Sequence, residues 1–129
     1  TEPRIIAVLD WELSTLGHPL ADFSYHCMSW HMPPSTGRGI GGVDVASLGI
    51  PTESEYIRRY CERTRISTPE ALAPDWNFYQ AYNLFRMAAI LQGIAKRVEA
   101  GTASSEQAVA SARGARPMAE MAWQFAQKA

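Results

Sequence analysis

The sequence predicts a mainly α chain, in which one short N-terminal β-strand remnant leads into four or five helices. Three observations point to this. Apolar residues recur at spacings of three and four over several long segments, as a helix with a buried face requires. Helix start and stop signals (Pro19, Thr52 with Glu55, Gly101) sit at the edges of those segments. One run alone, Arg4 to Leu9 (R-I-I-A-V-L), has the short, apolar, β-branched character of a buried strand.

The strand is expected to end at Asp10-Trp11-Glu12, and Gly17-His18-Pro19 then makes a turn. Pro19 suits the first position of a helix running to about Trp30, with Leu20, Phe23, Cys27 and Trp30 on one face. Pro33 to Gly49, which contains Gly37, Gly39, Gly41 and Gly42, is loop by composition. Thr52 is placed to cap a second helix to about Thr64, and Glu55 to complete a capping box. A proline-containing stretch from Ser67 to Pro74 follows.

Asp75 is expected to cap the longest helix, which runs to about Ala100 and stops at Gly101. Leu84, Ala88, Leu91, Ala95 and Val98 form one stripe on it, and Phe78, Tyr82, Phe85 and Ala89 a second, so burial on most sides is expected. Ser104-Ser105-Glu106 begins the last helical region, which Gly114 and Pro117 should break or bend. Met118, Met121, Ala122 and Phe125 carry its buried face.

A lone strand leaves its ladder groups unpaired, so its partner is expected from a missing N-terminal portion or from another copy. The opening Thr1-Glu2-Pro3-Arg4, with no initiator Met, adds to the expectation of a piece of a larger protein. The 129 residues suffice for one modest domain, and 47% are apolar, enough for a core. A net charge of −1 gives no electrostatic case for nucleic acid or an anionic membrane as partner. Cys27 and Cys61 do not form a disulfide framework, and without a signal-peptide pattern a cytoplasmic setting is expected. No apolar run approaches the roughly 20 residues of a membrane helix.

Asp10 stands where a buried strand ends, a place where a carboxylate is held yet reaches a ligand. If the extended path continues, Glu12 faces the same side, and two hard oxygen ligands suit Mg²⁺. The alternative is a pair of solvated loop acids. Asp22, in the first turn of the first helix, reads by itself as a favourable charge at a helix N-terminus.

The segment I-I-A-V-L-D-W-E-L-S-T-L-G-H-P-L-A-D-F resembles the strand, Asp-Trp-Glu, Gly-Asp-Pro and Asp-Leu/Phe pattern of aminoglycoside-phosphotransferase-like, protein-kinase-like enzymes. Gly42 to Pro51, Tyr56 to Cys61 and Phe78 to Arg86 are similar to the branch joined to acyl-CoA dehydrogenase modules in some animals. The resemblance implies that residues 1–129 are a partial helical C-lobe of a kinase-like fold. It makes Asp10 the ligand of the Mg²⁺ that bridges the phosphates of ATP. Glu12 is a weaker metal or water ligand, and Asp22 a structural support of the catalytic loop. His18 replaces the family's usual aspartate in the Gly-x-Pro turn.

The resemblance also shows what these residues lack. No His-Gly-Asp-x-x-x-x-Asn catalytic loop and no nucleotide-binding lobe with its lysine occur here, so the base is expected upstream of residue 1 and the fragment is expected to be inactive. The complete protein is expected to transfer a phosphoryl group from the nucleotide ATP to a hydroxyl of a small molecule. The non-enzymatic alternative is a helical interaction or dimerisation domain, and an exposed strand edge would favour self-association.

Other signals carry less. Gly37 to Gly42 lacks the strand before it and the Gly-Lys-Ser/Thr after it that a phosphate loop needs, and reads as a flexible loop at a substrate entrance. Cys27 and His31 have a zinc-compatible spacing but no further ligands, so a core Cys beside a helix-end His is preferred. His26, Trp76, Tyr82 and Arg86 are candidate acceptor-binding residues, with an Arg86 ion pair to Asp22 or Asp75 as the structural alternative.

Overall fold

Proline, capping and glycine signals set most of the helix boundaries. Helix α1 (Pro19–Cys27) begins on its proline and tightens into a 3₁₀ turn at Met28–Trp30. Helix α2 (Glu53–Thr64) carries a complete capping box: the Thr52 side chain accepts from the Glu55 N–H at 3.3 Å, and the Glu55 carboxylate accepts from the Thr52 N–H at 2.9 Å. A short α3 (Pro69–Leu72) and a 3₁₀ turn lead into α4 (Trp76–Glu99), which stops before Gly101 at φ 68°. Helices α5 (Gln107–Ala112) and α6 (Ala115–Ala126) complete the chain. The structure is a computed structural model describing residues 3–12, 14–103 and 105–129.

Helix α4 is the axis of the packing, with α6, α5 and α1 against it. One apolar cluster joins Leu84, Met87 and Ala88 of α4 to Met118 and Ala122 of α6 and to Met28 and Met32 after α1. A second gathers Leu20, Cys61 and Leu72 with Ile57, Tyr60, Trp76 and Tyr79, tying α1, α2 and α3 to the first turn of α4. Phe23 seals it by stacking on Tyr60 at 3.7 Å between ring centroids. Between the clusters, the buried Asn83 amide donates to Ser24 Oγ at 2.7 Å and to the Ala21 carbonyl at 3.0 Å. A buried amide left without those acceptors would cost about 1–3 kcal/mol, so the pair fixes the register of α4 on α1.

The mainly helical architecture agrees with the sequence, and four details differ. No strand occurs among the described residues: the segment from Arg4 to Leu9 has no ladder partner and is exposed, with Ile6 at 88%. Burial of a strand needs a neighbouring strand, and the described residues supply none there. The second stripe of α4 is also open, with Phe78, Tyr82 and Phe85 all exposed. Asp75 makes no side-chain cap, because the preceding 3₁₀ turn leaves it already in helical conformation at φ −96°, ψ −2°. Pro117 does not bend α6, since it occupies the first turn, where its missing N–H has no carbonyl to meet. Of the expected start of the last helical region, Ser104 lies outside the described residues.

No helix among the described residues is long and apolar enough to cross a membrane. The asymmetry of α4 is directly testable. Leu84→Ala, at a fully buried position, should cost about 2–5 kcal/mol in urea unfolding. Phe85→Ala, 66% exposed one position later, should change stability by less than about 0.5 kcal/mol. Equal losses would contradict the placement of the helix.

Candidate functional site

At Asp10 the backbone turns into the left-handed region, at φ 70°. Few non-glycine residues adopt it, and aspartate is among those that do most readily. Local bonds hold the reversal: Trp11 Nε1–H donates to the Val8 carbonyl at 2.8 Å, and the Ser14 N–H and hydroxyl donate to the Trp11 carbonyl at 2.9 and 2.6 Å. The extended path therefore stops at Asp10, and Glu12 lies in the following turn. The alternation expected to put both carboxylates on one side does not operate across this reversal. Both residues are exposed, and no group of three or more His, Cys, Asp or Glu able to hold a metal occurs among the described residues.

Asp22 is exposed in the first turn of α1, where a negative charge favours the helix. It forms no hydrogen bond among the described residues. Burial, and then the charge of Asp22, push the Tyr60 hydroxyl above its usual range.

The four candidate acceptor residues occupy different surroundings. His26 Nδ1 and the Tyr56 hydroxyl share a hydrogen bond of 2.9 Å, and the His26 ring meets Trp30 edge-on. Trp76 belongs to the second apolar cluster and donates its Nε1–H to Glu53 Oε1 at 3.1 Å. Tyr82 and Arg86 lie one turn apart on the exposed side of α4. Arg86 forms no ion pair with Asp22 or Asp75. Exposed, it needs no acid, and its guanidinium instead lies 5.3 Å from the Tyr25 ring centroid.

A polar centre that the sequence does not announce surrounds Glu53. Its carboxylate accepts from His31 Nε2 at 3.0 Å, Trp76 Nε1 at 3.1 Å and the fully buried Gln80 Nε2 at 3.4 Å. This joins the 3₁₀ turn after α1, the start of α2 and the first turns of α4. Cys27 is completely buried nearby, and burial first, then the Glu53 charge, push its thiol far above the usual range. Its complete burial agrees with the reading of Cys27 as a core cysteine. The one advance signal was a glutamate at the first position of α2, which reads equally well as a helix-terminal charge. Glu53→Ala would leave Gln80 buried without a partner for its amide, and should cost at least about 1–3 kcal/mol in denaturant unfolding. A loss below about 0.5 kcal/mol would show that the centre does not hold these helices together.

Comparison with known proteins gives this arrangement a family. A model described as "Phosphotransferase enzyme family" matches residues 1–82, which include Asp10, Glu12 and Asp22. The chain is 49% identical over 127 residues to acyl-CoA dehydrogenase family member 10 of Mus musculus, covering 97% of this chain and 12% of that protein. It is 38% identical over 127 residues to family member 11 of Homo sapiens, covering 98% of this chain and 16% of that protein. Among solved structures, a Ralstonia eutropha JMP134 protein provisionally described as an aminoglycoside phosphotransferase matches 99% of this chain and 38% of its own, at 59% identity and a TM-score of 0.86. The chain thus spans well under half the length of each of these relatives. Its helices are those of the C-terminal lobe of a kinase-like phosphotransferase fold, and the chain belongs to the phosphotransferase enzyme family.

Proposed function

We propose that this chain is the C-terminal part of an ATP- and Mg²⁺-dependent phosphotransferase that phosphorylates a hydroxyl of a small molecule, and that it is inactive by itself. The observation that carries this reading is the family match across residues 1–82, the region in which the two acids of D-W-E and the aspartate of A-D-F fall. The inactivity follows from chemistry. Phosphoryl transfer needs a base to orient the hydroxyl and a nucleotide-binding lobe whose lysine contacts the phosphates, and residues 1–129 contain no motif for either.

Asp10 fits the role of metal ligand. It is a hard oxygen donor at an exposed chain reversal, bound to no other side chain among the described residues, and Mg²⁺ is held through one or two carboxylates. Magnesium, when bound, supplies charge neutralisation at the phosphates. Glu12 is a weaker candidate for a metal or a bound water. Asp22 supports the catalytic loop contributed by the remainder of the protein. The acyl-CoA dehydrogenase relatives make a hydroxylated acyl compound one candidate acceptor, beside an aminoglycoside or another amino alcohol. A cytoplasmic location belongs to the same reading.

A second reading concerns the chain alone. Ile5, Ile6, Leu9, Phe78 and Phe85 are exposed together with Trp123, and uncovered apolar surface of this kind favours self-association. A monomer by light scattering at high concentration would exclude it.

For the phosphotransferase reading, ATP consumption by the longer parent, its Asp10→Asn form and this chain is the discriminating comparison. Asp10→Asn should lower acceptor-dependent turnover by about a hundredfold or more, the loss of a transition-state electrostatic contact. The isolated chain should show none. Full activity in Asp10→Asn, or turnover by the chain alone, would remove the assignment.

A further inference from the structure

A groove of about 520 Å³ lies between α4, α5, α6 and the loop after Pro33. That volume falls within the range of about 300–1,000 Å³ of small-molecule sites. Met87 and Leu91 of α4 and Met118 and Met121 of α6 form an apolar floor, and Arg38 and Arg113 also line the groove. No Asp or Glu lines it. Neither arginine has an ion-pair partner among the described residues. Arg86 adds a third guanidinium 5.3 Å from the ring of Tyr25, another lining residue.

The loop wall is anchored, in contrast to the flexible entrance expected from its glycines. The Ile40 N–H donates to the Ser29 carbonyl and the Gly41 N–H to the Met32 carbonyl, both at 2.8 Å. A Cβ on Gly39 would stand 2.0 Å from the Met32 oxygen, so only glycine permits this approach. Within the loop, Thr36 Oγ1 accepts from the Gly39 N–H at 3.1 Å and donates to the Pro33 carbonyl at 2.8 Å. These bonds set Arg38 on a fixed turn beside the helices.

We propose that this groove binds a linear aliphatic molecule with an anionic head group, a carboxylate or a phosphate. The chain lies on the methionine floor, whose unbranched side chains adapt to a flexible ligand. Arg38 and Arg113 take the head, since the guanidinium fork matches carboxylate and phosphate oxygens. The absence of any lining carboxylate selects against a cationic amphipath. Asp10, Glu12 and Asp22 are not among the lining residues, so the site does not depend on the phosphotransferase reading.

The five methionines provide the probe, because Met32, Met87, Met118 and Met121 line the groove and Met28 does not. The chain labelled with ¹³C at the methionine methyls would be titrated, below micelle formation, with decanoate, decyl phosphate, decanol and decyltrimethylammonium. The expected result is saturable shifts of Met87, Met118 and Met121 with one or both anions, while Met28 stays in place. Comparing decanoate with decyl phosphate identifies the head group. Arg38→Gln combined with Arg113→Gln, both exposed positions, should weaken anion binding about tenfold or more, and an unmoved Met28 methyl reports that the fold is kept. The proposal is overturned if decanol or the ammonium compound binds as tightly as the anions, or if the arginine changes have no effect. It is also overturned if nothing shifts, or if the same methyls shift on concentrating the chain alone, since a second copy would then be the occupant.

Discussion

The amide of Asn83, donating to Ser24 and Ala21, is the join on which the other contacts depend. It couples residues 59 and 62 positions apart in sequence, and it does so between the parts of α4 that enter the two apolar clusters. Apolar packing alone tolerates small rotations of one helix on another, because dispersion contacts lack direction. A buried amide does not, because each rotation that breaks its bonds leaves a polar group dry. With Asn83 seated, Leu84, Met87 and Ala88 face α6, and Gln80 meets Glu53. The same setting turns Phe78, Tyr82 and Phe85 outward.

Features governed by neighbouring residues were legible in the sequence. The Thr52–Glu55 box, the stop at Gly101 and the buried face Met118–Ala122 each involve residues within a turn or two of one another. Features that need a distant partner were not. Two apolar stripes on α4 looked equally buried, and the contest was decided by Asn83 and Gln80, polar residues that no hydrophobic pattern selects. Likewise the run from Arg4 to Leu9 has strand character, but a strand exists only against a neighbour.

The candidate site divides along the same line. The acids at positions 10, 12 and 22 were found through a sequence pattern, whereas the conformation that separates Asp10 from Glu12 was not, since aspartate is compatible with both extended and left-handed backbone. Glu53 does not stand out in the sequence, because a glutamate just inside a helix already has a sufficient local explanation. The groove was hidden for another reason. Its lining comes from the loop after Pro33, from α4, from the end of α5 and from α6, and no single segment carries enough of it to stand out.

The methionines of the first cluster give this protein a chemical sensitivity as well as a shape. Met118 is almost completely buried, whereas Met121, on the same helix, is only partly covered. Oxygen-derived oxidants would therefore reach Met121 first. Its sulfoxide would place a polar, chiral group against the α4–α6 contact, loosening the packing that shields the other thioethers. A core built this way is open to progressive damage from its edge inward, and repair by sulfoxide reductases would matter most at the first residue exposed.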